Sequence, residues 1–233
     1  MLALLTAAAL AKPVPVTVPT RPPDAQWAGT VAVLGERKIP FLGTVRFRTD
    51  TNALADVWQT EDGWVLSQQT CGVRFARTAG AELSLAEHAP AAMPKAVMQY
   101  TGQEGVWIAG PWASGWSEDD HDRDGEPGIT VSVKAPVCGK GALHVESAAT
   151  SVARGAPGDA TTLEGDILVR VIQTNHSARG LCLKLLPTQT DETMLGRFAY
   201  RAVEPGTTCA DVSAFPDPHP ETAEPLDPAL LGS

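Results

Sequence analysis

The chain has 233 residues, of which 43% are hydrophobic and 19% charged, and 18 Lys and Arg against 27 Asp and Glu give a formal net charge of −9. That length suits one domain or at most two. With no basic block and no basic–aromatic stripe, the charge excludes nucleic acid as a partner and sets the chain against an anionic membrane surface.

Residues 1–11, MLALLTAAALA, are apolar and end in the small-x-small pattern Ala9-Leu10-Ala11, the form of a secretory signal peptide. As a helix the run spans about 15 Å, half a bilayer core, so no membrane span is expected from it. Residues 12–25 carry five prolines in KPVPVTVPTRPP and read as an extended linker. Residues 26–209 form the body, large enough to bury about 70% of its unfolded surface. Residues 210–233, acidic and rich in proline, are expected to be a disordered tail.

Period-two alternation runs through the body. TVRFRT sets Val45 and Phe47 on one face, and ITVSVK does the same with Ile129, Val131 and Val133. ALHVES sets Leu143 and Val145 against His144 and Glu146, and the habit returns over 165–174 and 196–203. Turns are expected at Asp62-Gly63, 136–141, 155–158 and 174–180, the last joining strands over 166–174 and 180–186. Residues 79–92 are the one stretch that tempts a helix, and Pro90 keeps it short. The pattern predicts an all-β fold, an antiparallel β-sandwich or β-barrel with disulfides.

Cys71, Cys138, Cys182 and Cys209 are widely spaced, with no C-x-x-C pair, which argues for disulfides in a secreted or periplasmic protein over a zinc or redox site. Of the three possible pairings, Cys71–Cys138 with Cys182–Cys209 is expected, because sequence-near partners suit a meandering β fold.

The stretch GWSEDDHDRDGEPGITV, residues 115–131, packs six carboxylates into nine positions. Carboxylates at Asp120, Asp122 and Asp124 followed by Gly125 can converge on one hard cation, and Glu126 can add a backbone carbonyl. These residues resemble the D-x-D-x-D-G calcium-binding loops of EF-hands, dockerins, thrombospondin type 3 repeats and integrin-type propeller repeats, over a dozen residues only. The resemblance implies a weakly held structural calcium ion. Two departures stand out: Val131 occupies the place of the EF-hand's bidentate Glu, and Gly128 that of the propeller loop's Asp. Glu118 and Asp119 are then the nearest additional ligands.

Trp107, Trp112 and Trp116 precede the loop, and beside Gly110, Pro111 and Gly115 they could sit in a loop as a platform for a sugar ring, or pack in a β core. His144 and Glu146 share a strand face and read as solvated; Asn175-His176-Ser177 matches an N-glycosylation acceptor. No catalytic motif is present, although paired carboxylates in glycosidases leave no short signature. The expectation is an exported, calcium-stabilised binding module for a glycan or cell-envelope partner. The alternatives are a barrel carrying a small apolar ligand and a secreted hydrolase of extracellular polymer.

Overall fold

The computed structural model describes residues 15–39, 43–78, 80–86, 88–103, 105–136, 139–159, 161–180, 182–212 and 217–231. The expected signal segment, the first residues of the linker and Cys138 lie outside the described residues.

Among the described residues ten antiparallel strands form one sheet: β1 (Ala25–Ile39), β2 (Gly43–Thr60), β3 (Gly63–Phe75), β4 (Glu82–Leu85), β5 (Ala96–Gln103), β6 (Val106–Trp116), β7 (Ile129–Ala135), β8 (Gly139–Asp159), β9 (Thr162–Arg179) and β10 (Gln189–Val203). Eight of them follow the order β8-β6-β5-β3-β2-β1-β10-β9, and β9 pairs back onto β8. The sheet therefore closes on itself, and of the two expected architectures the structure is a barrel. Closure leaves these strands no long unpaired edge, the usual liability of an open sheet.

Alternation explains which residues fill the ring. Leu66, Met98, Tyr100, Leu163, Phe198 and Tyr200 are each under 2% exposed and pack with Trp27, Ala53, Ala55, Val57 and Ile167. Each large apolar side chain buried this way stabilises by roughly 1.5–3 kcal/mol. The interior is occupied by the barrel's own side chains. Two open clefts, of about 270 and 310 Å³, lie elsewhere: one between Cys71–Arg74 and Leu85–Pro90, the other over Thr30, Arg48 and Asp50.

The long β8–β9 hairpin runs on past the ring, and β7 and then β4 extend the sheet beside it. A second core forms here from Ile129, Val131, Val133, Leu143 and Val145, with Ala89 of a four-residue helix, α1 (Ala89–Ala92). The helix expected within 79–92 is thus this single turn, and β4 takes up residues 82–85.

Three expectations are corrected. Residues 174–180 do not turn: β9 continues to Arg179, because Asn175, Ser177, Ala178 and Arg179 all pair with β8 and the ladder overrides the local turn signal. Residues 183–185 are a 3₁₀ turn, not a strand. The disulfide joins Cys71 to Cys209, across 138 residues of sequence, which rules out both expected pairings. Cys71 is the extra residue of a β-bulge opposite Asn52 and Ala53, so its side chain is re-aimed toward the C-terminal segment. Cys182 is also disulfide-bonded.

The segment expected to be a loose tail lies on the outside of the ring. Leu226 and Leu231 pack on Val152 and Leu168, with Leu195 beside them. Arg48 holds Asp217 at 2.8 Å, Arg154 holds Glu224 at 2.9 Å, and the Glu224 N–H donates to Asp166. Composition understated this segment because two leucines suffice when the surface beneath them is already apolar. Among the described residues no helix is long and apolar enough to cross a membrane.

Candidate metal centre

The acidic loop owes its position to a break in one strand. Trp116 at the end of β6 pairs with Ser147, and Ile129 at the start of β7 pairs with Val145. β6 and β7 thus lie end to end along one edge of β8, and residues 117–128 are an excursion between them. Gly128 closes it at φ +80°, where a Cβ would stand 2.2 Å from the Val145 carbonyl oxygen; only glycine lets the chain re-enter the ladder there. The Gly128 N–H donates to the carbonyls of Glu118 and Asp119, and its own carbonyl accepts the His121 N–H, which ties the loop's two ends.

Within the loop Asp120, Asp122 and Asp124 come together, each offering a carboxylate oxygen within 4.8 Å of the others. The Asp120 carboxylate accepts the N–H groups of Asp124 (3.1 Å) and Gly125 (3.0 Å), and Gly125 makes the sharp turn at φ +87°. Asp124 Oδ1 accepts the Glu126 N–H at 2.9 Å, and its Oδ2 accepts the Thr130 hydroxyl at 2.5 Å. These bonds, the hydroxyl's foremost, hold the Asp124 carboxyl below the usual carboxylate range. Asp122 is 8% exposed; its Oδ2 accepts the Thr130 N–H at 2.7 Å, and its Oδ1 is buried with no hydrogen-bond partner among the described residues. A buried carboxylate oxygen left unmatched costs several kcal/mol unless a cation or water meets it. The three carboxylates, a hard and anionic donor set, could hold a metal ion.

The other expected ligands are placed differently. The Glu126 side chain reaches across to β9, where Arg179 bonds it at 2.5 Å and the Ser177 hydroxyl at 3.4 Å. Glu118 enters the loop through its backbone carbonyl and is not part of the carboxylate cluster. Val131 is buried in the second core and offers no oxygen side chain. A cation here would complete its shell with water, a backbone carbonyl or an oxygen from another molecule.

The three tryptophans share the core-facing side of β6, opposite Gly155, Ser151 and Ser147 of β8, and do not form an exposed platform. They lie on β6, which remains a strand through Gly110-Pro111 by a register shift between Ala109 and Trp112. Trp112 is 8% exposed in the ring core, and Trp107 stacks on Trp64 with centroids 5.2 Å apart. Trp116 donates its indole N–H to the Ala89 carbonyl at 3.1 Å, beneath the loop. All three are thus at least partly buried against a core.

His144 is the residue the sequence reading misplaced. It sits on the outer face of β8, yet it is only 1% exposed. The excursion folds over the outer face of β7, β8 and β9, where Thr130 pairs with His144 and His144 with Ser177. His144 Nδ1 lies 3.0 Å from the Thr130 hydroxyl and 3.7 Å from Asp124 Oδ2, and its Nε2 is buried with no partner among the described residues. No local pattern announces this, because the cover comes from a loop and not from a neighbouring strand. Glu146, two residues on, pairs with His176 at 3.3 Å. The Asn175 amide of the glycosylation acceptor pattern is engaged within the sheet, donating to the Pro187 carbonyl.

Comparison with protein-family models, with curated proteins and with solved structures gives no match.

Proposed function

We propose that this chain is an exported β-barrel that takes up calcium at Asp120, Asp122 and Asp124, the ion locking the 117–128 excursion onto the barrel, and that it serves outside the cytoplasm as a binding module for a glycan or cell-envelope partner. The observation that carries the metal assignment is Asp122: three carboxylates share one small volume, and the buried oxygen of the middle one has nothing to bond. The disulfide supports an oxidising compartment, as does the apolar N-terminal stretch. A filled interior lends no support to an internal carrier. The carboxylates Asp50 and Asp217 beside the second cleft are both bonded to Arg48, which lends none to a hydrolase there.

With few charged ligands, affinity falls in the range of extracellular modules, Kd on the order of 10⁻⁴–10⁻³ M. Calorimetric titration should give one calcium site in that range, and Asp122→Asn should give none. No binding heat with 10 mM calcium, together with unshifted amide resonances over 117–130, sinks the assignment.

A further inference from the structure

The excursion lacks the bidentate glutamate and the second helix that finish an EF-hand, so something else must hold its carboxylates in place. Thr130, the second residue of β7, touches two of the three: its N–H bonds Asp122 Oδ2 at 2.7 Å and its hydroxyl bonds Asp124 Oδ2 at 2.5 Å. That hydroxyl has one proton, and the carboxylate takes it. His144 Nδ1, 3.0 Å away, must therefore be the donor to the Thr130 oxygen. The imidazole is 1% exposed and held on a strand, so it cannot swing away. The chain of donors runs His144 to Thr130 to Asp124, from the rigid sheet outward to the loop.

Resting on the calcium reading above, we infer that Thr130 and His144 are positioning residues of the metal centre: the sheet does the work that the closing glutamate and helix do in an EF-hand. Thr130 holds two of the carboxylates, one with each of its donors, and leaves Asp122 Oδ1 open to the ion; His144, by donating to the threonine oxygen, directs the hydroxyl proton at Asp124. The Asp122 Oδ1 that faces no partner is the oxygen this arrangement leaves for the cation. A metal-binding carboxylate held in this way loses about 10–100-fold in affinity when its holder is removed.

The test is calcium affinity by calorimetry on the full chain, with melting in EDTA as the control for folding. Thr130→Val keeps the shape and the backbone N–H but removes the hydroxyl; it should weaken calcium about tenfold or more, while its EDTA melt, lowered by the lost His144 bond, stays cooperative. Thr130→Ser restores the hydroxyl and should return affinity to within about threefold of wild type. His144→Asn, whose amide can occupy the Nδ1 position, should bind better than His144→Leu, and this pair decides the matter if Thr130→Val does not fold. Calcium binding by wild type that is unchanged in Thr130→Val, or equal in the two His144 variants, overturns the inference and leaves the calcium site standing. Failure of wild type to bind calcium removes the site itself.

Discussion

Replacing Asp122 with Asn should change the protein in opposite directions with and without calcium. Each pair of carboxylate oxygens lies within 4.8 Å, so mutual repulsion amounts to about 0.9 kcal/mol per pair even at the dielectric of water. Asn removes Asp122 from two such pairs, a relief of about 1.7 kcal/mol in the metal-free protein. A domain of this size shifts by about 2–4 °C per kcal/mol. In EDTA the variant should therefore melt about 3–7 °C above wild type. Calcium reverses the order. At 10 mM and a Kd of about 0.1–1 mM the ion stabilises wild type by about 1.4–2.7 kcal/mol, a rise of about 3–11 °C, and the variant should not respond. Differential scanning calorimetry in EDTA and in 10 mM calcium, with Asp227→Asn as a remote charge control, measures all four values. An Asp122→Asn variant that gains as much from calcium as wild type refutes the site. One that melts below wild type in EDTA refutes the claim that the three carboxylates strain the loop.

Three further outcomes follow from the barrel and its outer covering. Opening the Cys71–Cys209 bridge, by Cys209→Ser, frees a 138-residue loop in the unfolded chain; the chain-entropy model puts the loss at about 5 kcal/mol, read as a lower urea midpoint. Tyr100 and Tyr200 are both buried, and desolvation raises both phenols above their ordinary range. These are the chain's two tyrosines, and the stability held by keeping them neutral is full below the unfolded phenol pKa of about 10 and lost as pH rises toward the folded values. Absorbance at 295 nm should thus stay flat past pH 10 and rise only with unfolding; a smooth titration near 10 contradicts the burial. Finally, the Arg48 guanidinium holds the Asp217 carboxyl below its usual range. A depressed folded value means stability present above the unfolded pKa and lost as pH falls through the folded one. Hydrogen-exchange protection over 217–231, taken relative to the intrinsic rate at each pH, should therefore fall on acidification below pH 4, and Asp217→Asn, removing a partly exposed pair, should cost about 1 kcal/mol or less at pH 7.

Strands were legible where one face meets the core and the other meets water. Ile129, Val131 and Val133 are buried as their alternation requires, as are Leu143 and Val145. The convergence of Asp120, Asp122 and Asp124 was legible too, because spacing within a tight loop is local information. What failed was every inference needing contact between distant parts of the chain. Cys71 meets Cys209 because the last segment wraps the ring, and sequence distance carries no trace of that route. Asn175-His176-Ser177 has turn chemistry, yet β8 offers a ladder that outweighs it. His144 looked solvated because its own strand places it outward; the excursion that covers it begins 27 positions earlier, at Ser117. Thr130 had no motif to mark it, since its role depends on lying beside His144 in the register.

The break between β6 and β7 has a consequence for how such a chain can change. Only Glu146 on β8 separates the residues opposite Trp116 and Ile129. A one-residue splice in place of 117–128 would thus restore an unbroken strand with every inter-strand pairing kept. The acidic segment is thus an insertion in an otherwise continuous wall, and its removal would keep the strand ladder while uncovering the outer face where His144 lies.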